Sequence, residues 1–277
     1  MRIDRHADPA AFWRATQAFL ERDEAGNTQV LAIGSRYAVE PGATPPTGFS
    51  VADAGDLLAA AILTAKETLF LTPAGRDPLR ALHDELLDMG HVVTDVIAER
   101  ATAEIFAQLG AAPFRTLVGL RLYRLDAVSP VPAVPGAMHQ ALDTDFDLLC
   151  AWQQAFFTDA NVREAADEIP ELVRRRLRTG GAWLWKVDGV PVAHAGYRQT
   201  PIRSARIAPV YTSPEHRGRG YATALVAELS RHLLAQRRFP LYLFADRENS
   251  TSNGIYRRAG FRMAGEHVHL TRVVTEA

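Results

Sequence analysis

From Pro209 to Ala222 the chain reads Pro-Val-Tyr-Thr-Ser-Pro-Glu-His-Arg-Gly-Arg-Gly-Tyr-Ala, an apolar strand that runs through a glycine-rich turn into a helix from about Gly220 to Gln236. No other segment restricts the fold as strongly, because a strand delivered into a helix through spaced glycines belongs to mixed α/β architectures. Glycine lets a backbone approach a ligand closely. The unpaired N–H groups of the helix start, together with the positive end of its dipole, make a seat for an anion such as a pyrophosphate. The same pattern also describes an ordinary helix start with an exposed basic loop, so its surroundings have to decide.

Around that segment, helices are predicted at Asp145 to Phe157 and Ala165 to Leu177, followed by strands at Ala182 to Val187, Val190 to Tyr197 and Ala205 to Tyr211. A strand Leu241 to Ala245, a helix Ser252 to Ala259 and strands from Phe261 onward complete this half. In the first half, Asp8-Pro9 caps a helix with Phe12, Trp13, Thr16, Phe19 and Leu20 on one face. The apolar runs Val30 to Ile33, Phe49 to Ala52, Leu57 to Leu63 and Leu69 to Leu71 read as strands. A helix from Asp77-Pro78, a strand His91 to Val96, a helix Glu99 to Leu109 and a strand Thr116 to Leu125 follow. Ala127 to Ala137 holds three prolines and no charge, which makes it the expected linker between domains 1–126 and 138–277. The fold class is therefore α/β or α+β, with a mixed sheet in each half.

The halves resemble each other. Glu104 to Gly110 and Gly254 to Gly260 are both short helices closed by glycine, and Gly55 and Gly189 both open a strand of small residues. Either a duplicated fold or two unrelated α/β domains would produce this.

Composition limits the function classes. The net charge is −1, so nothing in the composition suggests a nucleic-acid binder, and the longest apolar run, Leu57 to Ala65, is too short to cross a bilayer. Residues 1–130 carry 12 basic and 17 acidic side chains against 19 and 15 in residues 131–277, so an anionic ligand is expected in the second half. Cys150 is the one cysteine, which forbids an intrachain disulfide and a cysteine metal cluster. With no apolar leader at the N-terminus, a cytoplasmic protein, monomer or homodimer, is expected.

About 30 residues past the glycine turn comes Asp246-Arg247-Glu248-Asn249-Ser250-Thr251-Ser252-Asn253-Gly254-Ile255-Tyr256, and then Gly260-Phe261. With this second stretch in place, residues 140–277 resemble the GNAT superfamily of N-acetyltransferases. Its pyrophosphate loop has the pattern met by Arg217, Gly220 and Ala222, between the fourth strand and the third helix. The resemblance implies acetyl-CoA, or another acyl-CoA, as co-substrate and no metal. It places Val210, Tyr211, Thr212, Arg217, Gly218, Arg219, Gly220, Tyr221, Ala222, Asn249 and Asn253 beside that co-substrate. It also implies direct attack of an amine on the thioester with no enzyme nucleophile, and Tyr256 as the acid that protonates the departing sulfur.

The remaining candidates are weaker. His194, between alanines on a strand, has the intrinsic pKa of a general base, although a lone strand histidine is more often structural. Phe156, Phe157 and Asp159 could line the acceptor site, and the Asp159 carboxylate could meet its amine. His267 and His269 have the alternation of metal ligands but no third partner in reach, so sheet surface is expected there. Cys150 reads as a packing residue.

In the first half, the corresponding loop Thr72-Pro73-Ala74-Gly75-Arg76-Asp77 lacks the spaced glycines, puts a carboxylate in place of a phosphate, and the position matching Tyr256 is Phe106. This half is expected to be a degenerate, cofactor-free GNAT-like copy or an unrelated cap. For the whole chain, the expected activity is transfer of an acetyl group to the primary amine of a small molecule. A non-catalytic acyl-CoA-binding sensor or interaction protein is the alternative.

Overall fold

The computed structural model describes residues 1–40, 44–160, 168–200 and 203–273. The chain forms two compact units, Met1–Leu122 with Ala264–Ala277, and Tyr123–Met263.

The first unit opens with β1 (Arg2–His6), which pairs antiparallel with β2 (Thr47–Asp53). Between them lie α1 (Pro9–Leu20) and α2 (Thr28–Val39). The carboxylate of Asp8 accepts from the N–H groups of Ala10 and Ala11 at 2.9 and 3.1 Å, and Pro9 supplies the fixed φ of a first turn. Phe12, Thr16 and Leu20 then recur at helical spacing on the buried face. β2 turns back into β3 (Asp56–Leu63) through Ala54 and Gly55, both at positive φ, as a two-residue hairpin demands. β4 (Thr68–Leu71), α3 (Arg76–Asp88), β5 (Asp95–Glu99), α4 (Arg100–Ala107) and β6 (Phe114–Leu125) follow.

The second half of the chain repeats this order element for element. It runs β7 (Ala137–Gln140), α5 (Phe146–Asp159), α6 (Ile169–Arg178), β8 (Ala182–Val187), β9 (Val190–Gln199) and β10 (Ala205–Thr212), then α7 (Tyr221–Ala235), β11 (Leu241–Asp246), α8 (Ser250–Ala259) and β12 (Arg262–Arg272). Even the hairpin turn recurs, since Asp188 and Gly189 between β8 and β9 take positive φ as Ala54 and Gly55 do.

The final strands of both repeats, β6 and β12, lie mostly in the first unit. β12 pairs antiparallel with β5, His267 to Thr271 against Glu99 to Asp95, so the first unit has the order β1-β2-β3-β4-β5-β12. Val268 and Leu270 lie in its core with Phe49, Leu69, Leu82 and Val96. In the second unit the order is β7-β8-β9-β10-β11, with Tyr123 and Leu125 of β6 in the core formed by α7, α8 and the sheet. The compact units thus divide at Leu122/Tyr123 and Met263/Ala264, where the sequence suggests a linker at 127–137 and one domain over 138–277. Strand pairing between segments some 170 residues apart leaves no local mark in either.

Two further expectations change. Val30 to Ile33 is the buried face of α2 rather than a strand, because a short apolar run serves either element and here Thr28 to Ala32 and Gly34 pack as a helix. β5 begins at Asp95, so His91 to Thr94 is the loop before it. The first residues of the helix expected from Ala165 lie outside the described residues.

Candidate functional site

The site is built on the α7 side of the second unit. β10 and β11 run parallel, yet only Ala205 and Arg206 pair with Leu241 and Tyr242, and from Ile207 onward β10 leaves its neighbour. On its other edge β10 carries a bulge between Ile207 and Val210 against β9. A bulge adds a residue and re-aims the strand, so the backbone from Val210 to Thr212 emerges with its β11-side groups free of a ladder. In the first unit the equivalent strands stay closed: Thr68, Leu69 and Phe70, three of the four residues of β4, pair with β5.

Beyond Thr212 a 3-10 turn, Pro214–His216, leads to Arg217. Ser213 is buried, its hydroxyl 3.3 Å from the Val192 carbonyl and 2.9 Å from His216 Nδ1, which pins the entry to the loop. Gly218 and Gly220 then take φ of +78° and +87°, a region that other residues rarely enter. A Cβ at Gly218 would meet nothing within 4 Å, so the space over it is open. Gly220 is the N-cap of α7, and no side chain caps that helix. The first N–H groups of α7 are therefore left unpaired beside it, with the helix dipole behind them. These residues fit the diphosphate of an acyl-CoA, bound by backbone rather than by side chains.

The side chains of this stretch do other work. Tyr221 is buried, and Tyr211 is 8% exposed with its ring 5.8 Å from that of Trp152 on α5. Arg219 Nη2 donates to the Glu215 carbonyl at 3.2 Å. Val210 packs at the margin of the core, and the Thr212 carbonyl accepts from Arg217. Ala222 sits in the first turn of α7.

The second stretch lies at α8, which packs on α7 and β11. Asn249 caps the helix, its Oδ1 accepting from the Ser252 N–H at 2.9 Å, and remains at the exposed end. Asn253, expected beside the co-substrate, is turned into the protein. It is 1% exposed, its Oδ1 accepts from the Tyr123 hydroxyl at 2.7 Å, and its Nδ2 donates to the carbonyls of Asp246 and Asn249 at 2.8 and 2.7 Å. Its hydrogen-bonding capacity is spent on joining α8 to the end of β11 and to β6. Tyr123 is the residue missed here; its only sequence signal is a tyrosine among the aliphatic residues of a strand.

Tyr256 is buried between Tyr123 and Phe261, each ring 6.0 Å away. Burial first, and the neighbouring Tyr123 second, push its pKa well above the ordinary phenol range, so the hydroxyl stays protonated. Its counterpart Phe106 on α4 is also buried, against His83.

His194 is a core histidine. It is 2% exposed, its Nδ1 lies 3.0 Å from the Trp183 carbonyl, and burial, then the charge of Arg176, push its pKa down to about 3. An imidazole so placed fits the structural reading of His194 better than that of a general base. Beside it, Gln153 accepts from Arg176 in a buried polar group. A glutamine four residues from both Leu149 and Phe157 on an apolar helix face was the available signal.

On α5, Phe157 is buried and Phe156 partly so, with rings 6.0 Å apart in a local core. Asp159 is not free for an amine, because its carboxylate pairs with Arg217 at 2.7 Å. His267 and His269 belong to the first unit; His267 is buried and His269 Nε2 meets Asp95 at 2.7 Å, so neither is the open sheet surface expected. Cys150 is half-buried and its thiol pKa is raised by burial, which suits packing. Among the described residues no helix is long and apolar enough to cross a membrane.

A mixed sheet that opens between two parallel strands, beside a glycine turn and an uncapped helix start, defines the class: an acyl-CoA transferase fold of the kind the sequence motifs imply. The comparisons agree. Residues 146–261 match the acetyltransferase (GNAT) family, and this segment is a GNAT acetyltransferase domain. Among solved structures, an acetyltransferase from the GNAT family of Colwellia psychrerythraea superposes with a TM-score of 0.68 at 12% identity, covering 99% of this chain and 100% of that one. A GCN5-related N-acetyltransferase from Sphaerobacter thermophilus gives 0.66 at 15%, covering 98% and 95%. A tandem GNAT protein from the clavulanic acid biosynthesis pathway gives 0.59 at 14%, covering 100% of both chains. At these identities the likeness is one of fold, and it runs through both units. No curated protein matches the sequence.

Proposed function

We propose that the protein is an acyl-CoA-dependent N-acyltransferase that moves an acetyl group from acetyl-CoA to the primary amine of a small molecule, with the second unit active and the first silent. The observation that carries this reading is the coincidence, in one unit, of the opened β10–β11 pair with the uncapped, glycine-lined start of α7. Backbone N–H groups from Gly218 to Ala222 would hold the diphosphate, and the free strand end Val210 to Thr212 would receive the pantetheine and the thioester carbonyl. The neutral amine attacks that carbonyl, the carbon–sulfur bond breaks, Tyr256 gives its proton to the leaving thiolate, and the proton shed by the attacking nitrogen restores the phenol through solvent, leaving the amide and free CoA thiol. The first unit has closed strands and Phe106 in place of a donor. Its loop is tied down as well, Thr72 bonding both ways with Ala60 and the Ala74 N–H donating to Thr102 at 3.2 Å.

The test is release of free thiol from acetyl-CoA across a panel of small primary amines and amino-terminal peptides. Amine-dependent release that is faster with small amines is expected. Binding of acetyl-CoA without release for any amine would replace the enzyme by a sensor.

A further inference from the structure

Arg217, the first residue of the pyrophosphate-loop pattern, points back into the protein fabric. Its Nε donates to the carbonyl of Thr212, the last residue of β10, at 3.1 Å. Its Nη2 donates to Asp159, the last residue of α5, at 2.7 Å. The guanidinium also lies 5.6 Å from the centre of the Tyr211 ring, which itself rests against Trp152 of α5. One side chain thus ties together three chain segments: the end of the strand that would present the thioester, the end of helix α5, and the loop before α7.

We infer that Arg217 and Asp159 are positioning residues, a strut that fixes the C-terminal end of α5 against the end of β10 and so sets where an acceptor amine rests beside the thioester. Three points support the strut over a phosphate contact. The guanidinium charge is already met by a carboxylate through a short charge-assisted bond. A diphosphate that took over this arginine would leave the Asp159 carboxylate unpaired next to a second anion. The open space over Gly218 and the uncapped start of α7 supply an anion seat without it. The pair is half-exposed, 49% and 53%, so it adds little to global stability and acts on local position.

The inference rests on the proposed transferase activity, and the experiment separates the two. In the full chain, Arg217→Gln, Asp159→Asn and the exchanged pair Arg217→Asp with Asp159→Arg are compared with wild type for acetyl-CoA dissociation constant, acceptor KM and kcat, at equal melting temperature. Each single variant is expected to raise the acceptor KM by about tenfold with acetyl-CoA affinity within about twofold, and the exchanged pair to recover part of the loss. Overturning results are a tenfold weaker acetyl-CoA complex in Arg217→Gln with tighter binding in Asp159→Asn, which makes Arg217 a phosphate ligand restrained by Asp159, or variants indistinguishable from wild type. A wild-type chain that binds acetyl-CoA and acetylates nothing refutes the transferase reading instead.

Discussion

Replacing Tyr256 by phenylalanine is expected to lower turnover by about 10- to 10,000-fold while leaving acetyl-CoA affinity within about twofold. The ring is 7% exposed and packed between Tyr123 and Phe261, so phenylalanine keeps its contacts and loses only the hydroxyl. Burial holds that hydroxyl protonated beyond the ordinary phenol range, which begins to lose its proton near pH 10. The sign follows: in the proposed role Tyr256 carries its proton at every pH below that, although the raised pKa makes it a weaker donor, and no alkaline limb of the rate profile arises from it under neutral conditions. The spread in magnitude reflects how far water can replace the donor. Steady-state kinetics with chemistry shown to be limiting decide the matter. A variant with wild-type turnover would make the hydroxyl a packing feature.

Ending the chain at Met263 should have a comparable effect on stability. The truncation removes β12 from the edge of β5, together with Val268 and Leu270, 0% and 5% exposed. Burying two such side chains contributes about 3 to 6 kcal/mol before the lost strand pairing is counted, against about 5 to 15 kcal/mol for the net stability of a domain. The first unit is therefore expected to lose its cooperative melting transition, and a 1–126 fragment to fail to fold for the same reason. Far-ultraviolet circular dichroism on heating measures this. A truncated chain that melts as wild type would show that β12 is dispensable to the first unit.

Local chemistry carried much of this structure in the sequence. The strand, glycine turn and helix from Pro209 to Gln236 were legible because positive φ at Gly218 and Gly220 admits few other residues. The Asp8-Pro9 helix start was legible because a capping carboxylate followed by a proline of fixed φ marks a first turn. What stayed hidden depends on partners distant in the chain. Nothing near Val268 says that it completes a core with Phe49, and nothing near Asn253 says that a hydroxyl from Tyr123 occupies it. His194 is the same lesson in electrostatics, since an intrinsic pKa suited to a base is erased by burial and by Arg176. Val30 to Ile33 failed differently, because four apolar residues carry no period long enough to separate helix from strand. The repeat of ten elements was legible only in part, because identity between the halves is low and β12 pairs with β5 of the first unit.

The central claim, that one acyl-CoA site exists and that it lies at the glycine loop of the second unit, is tested most directly by calorimetric titration of acetyl-CoA into the full chain and into Gly218→Val. A side chain at Gly218 would project into the open space, where its Cβ meets no atom within 4 Å, in an exposed turn whose strain is local. The account predicts one site per wild-type chain and none in the variant at unchanged fold. Two sites per chain, or undiminished binding in Gly218→Val, would contradict it.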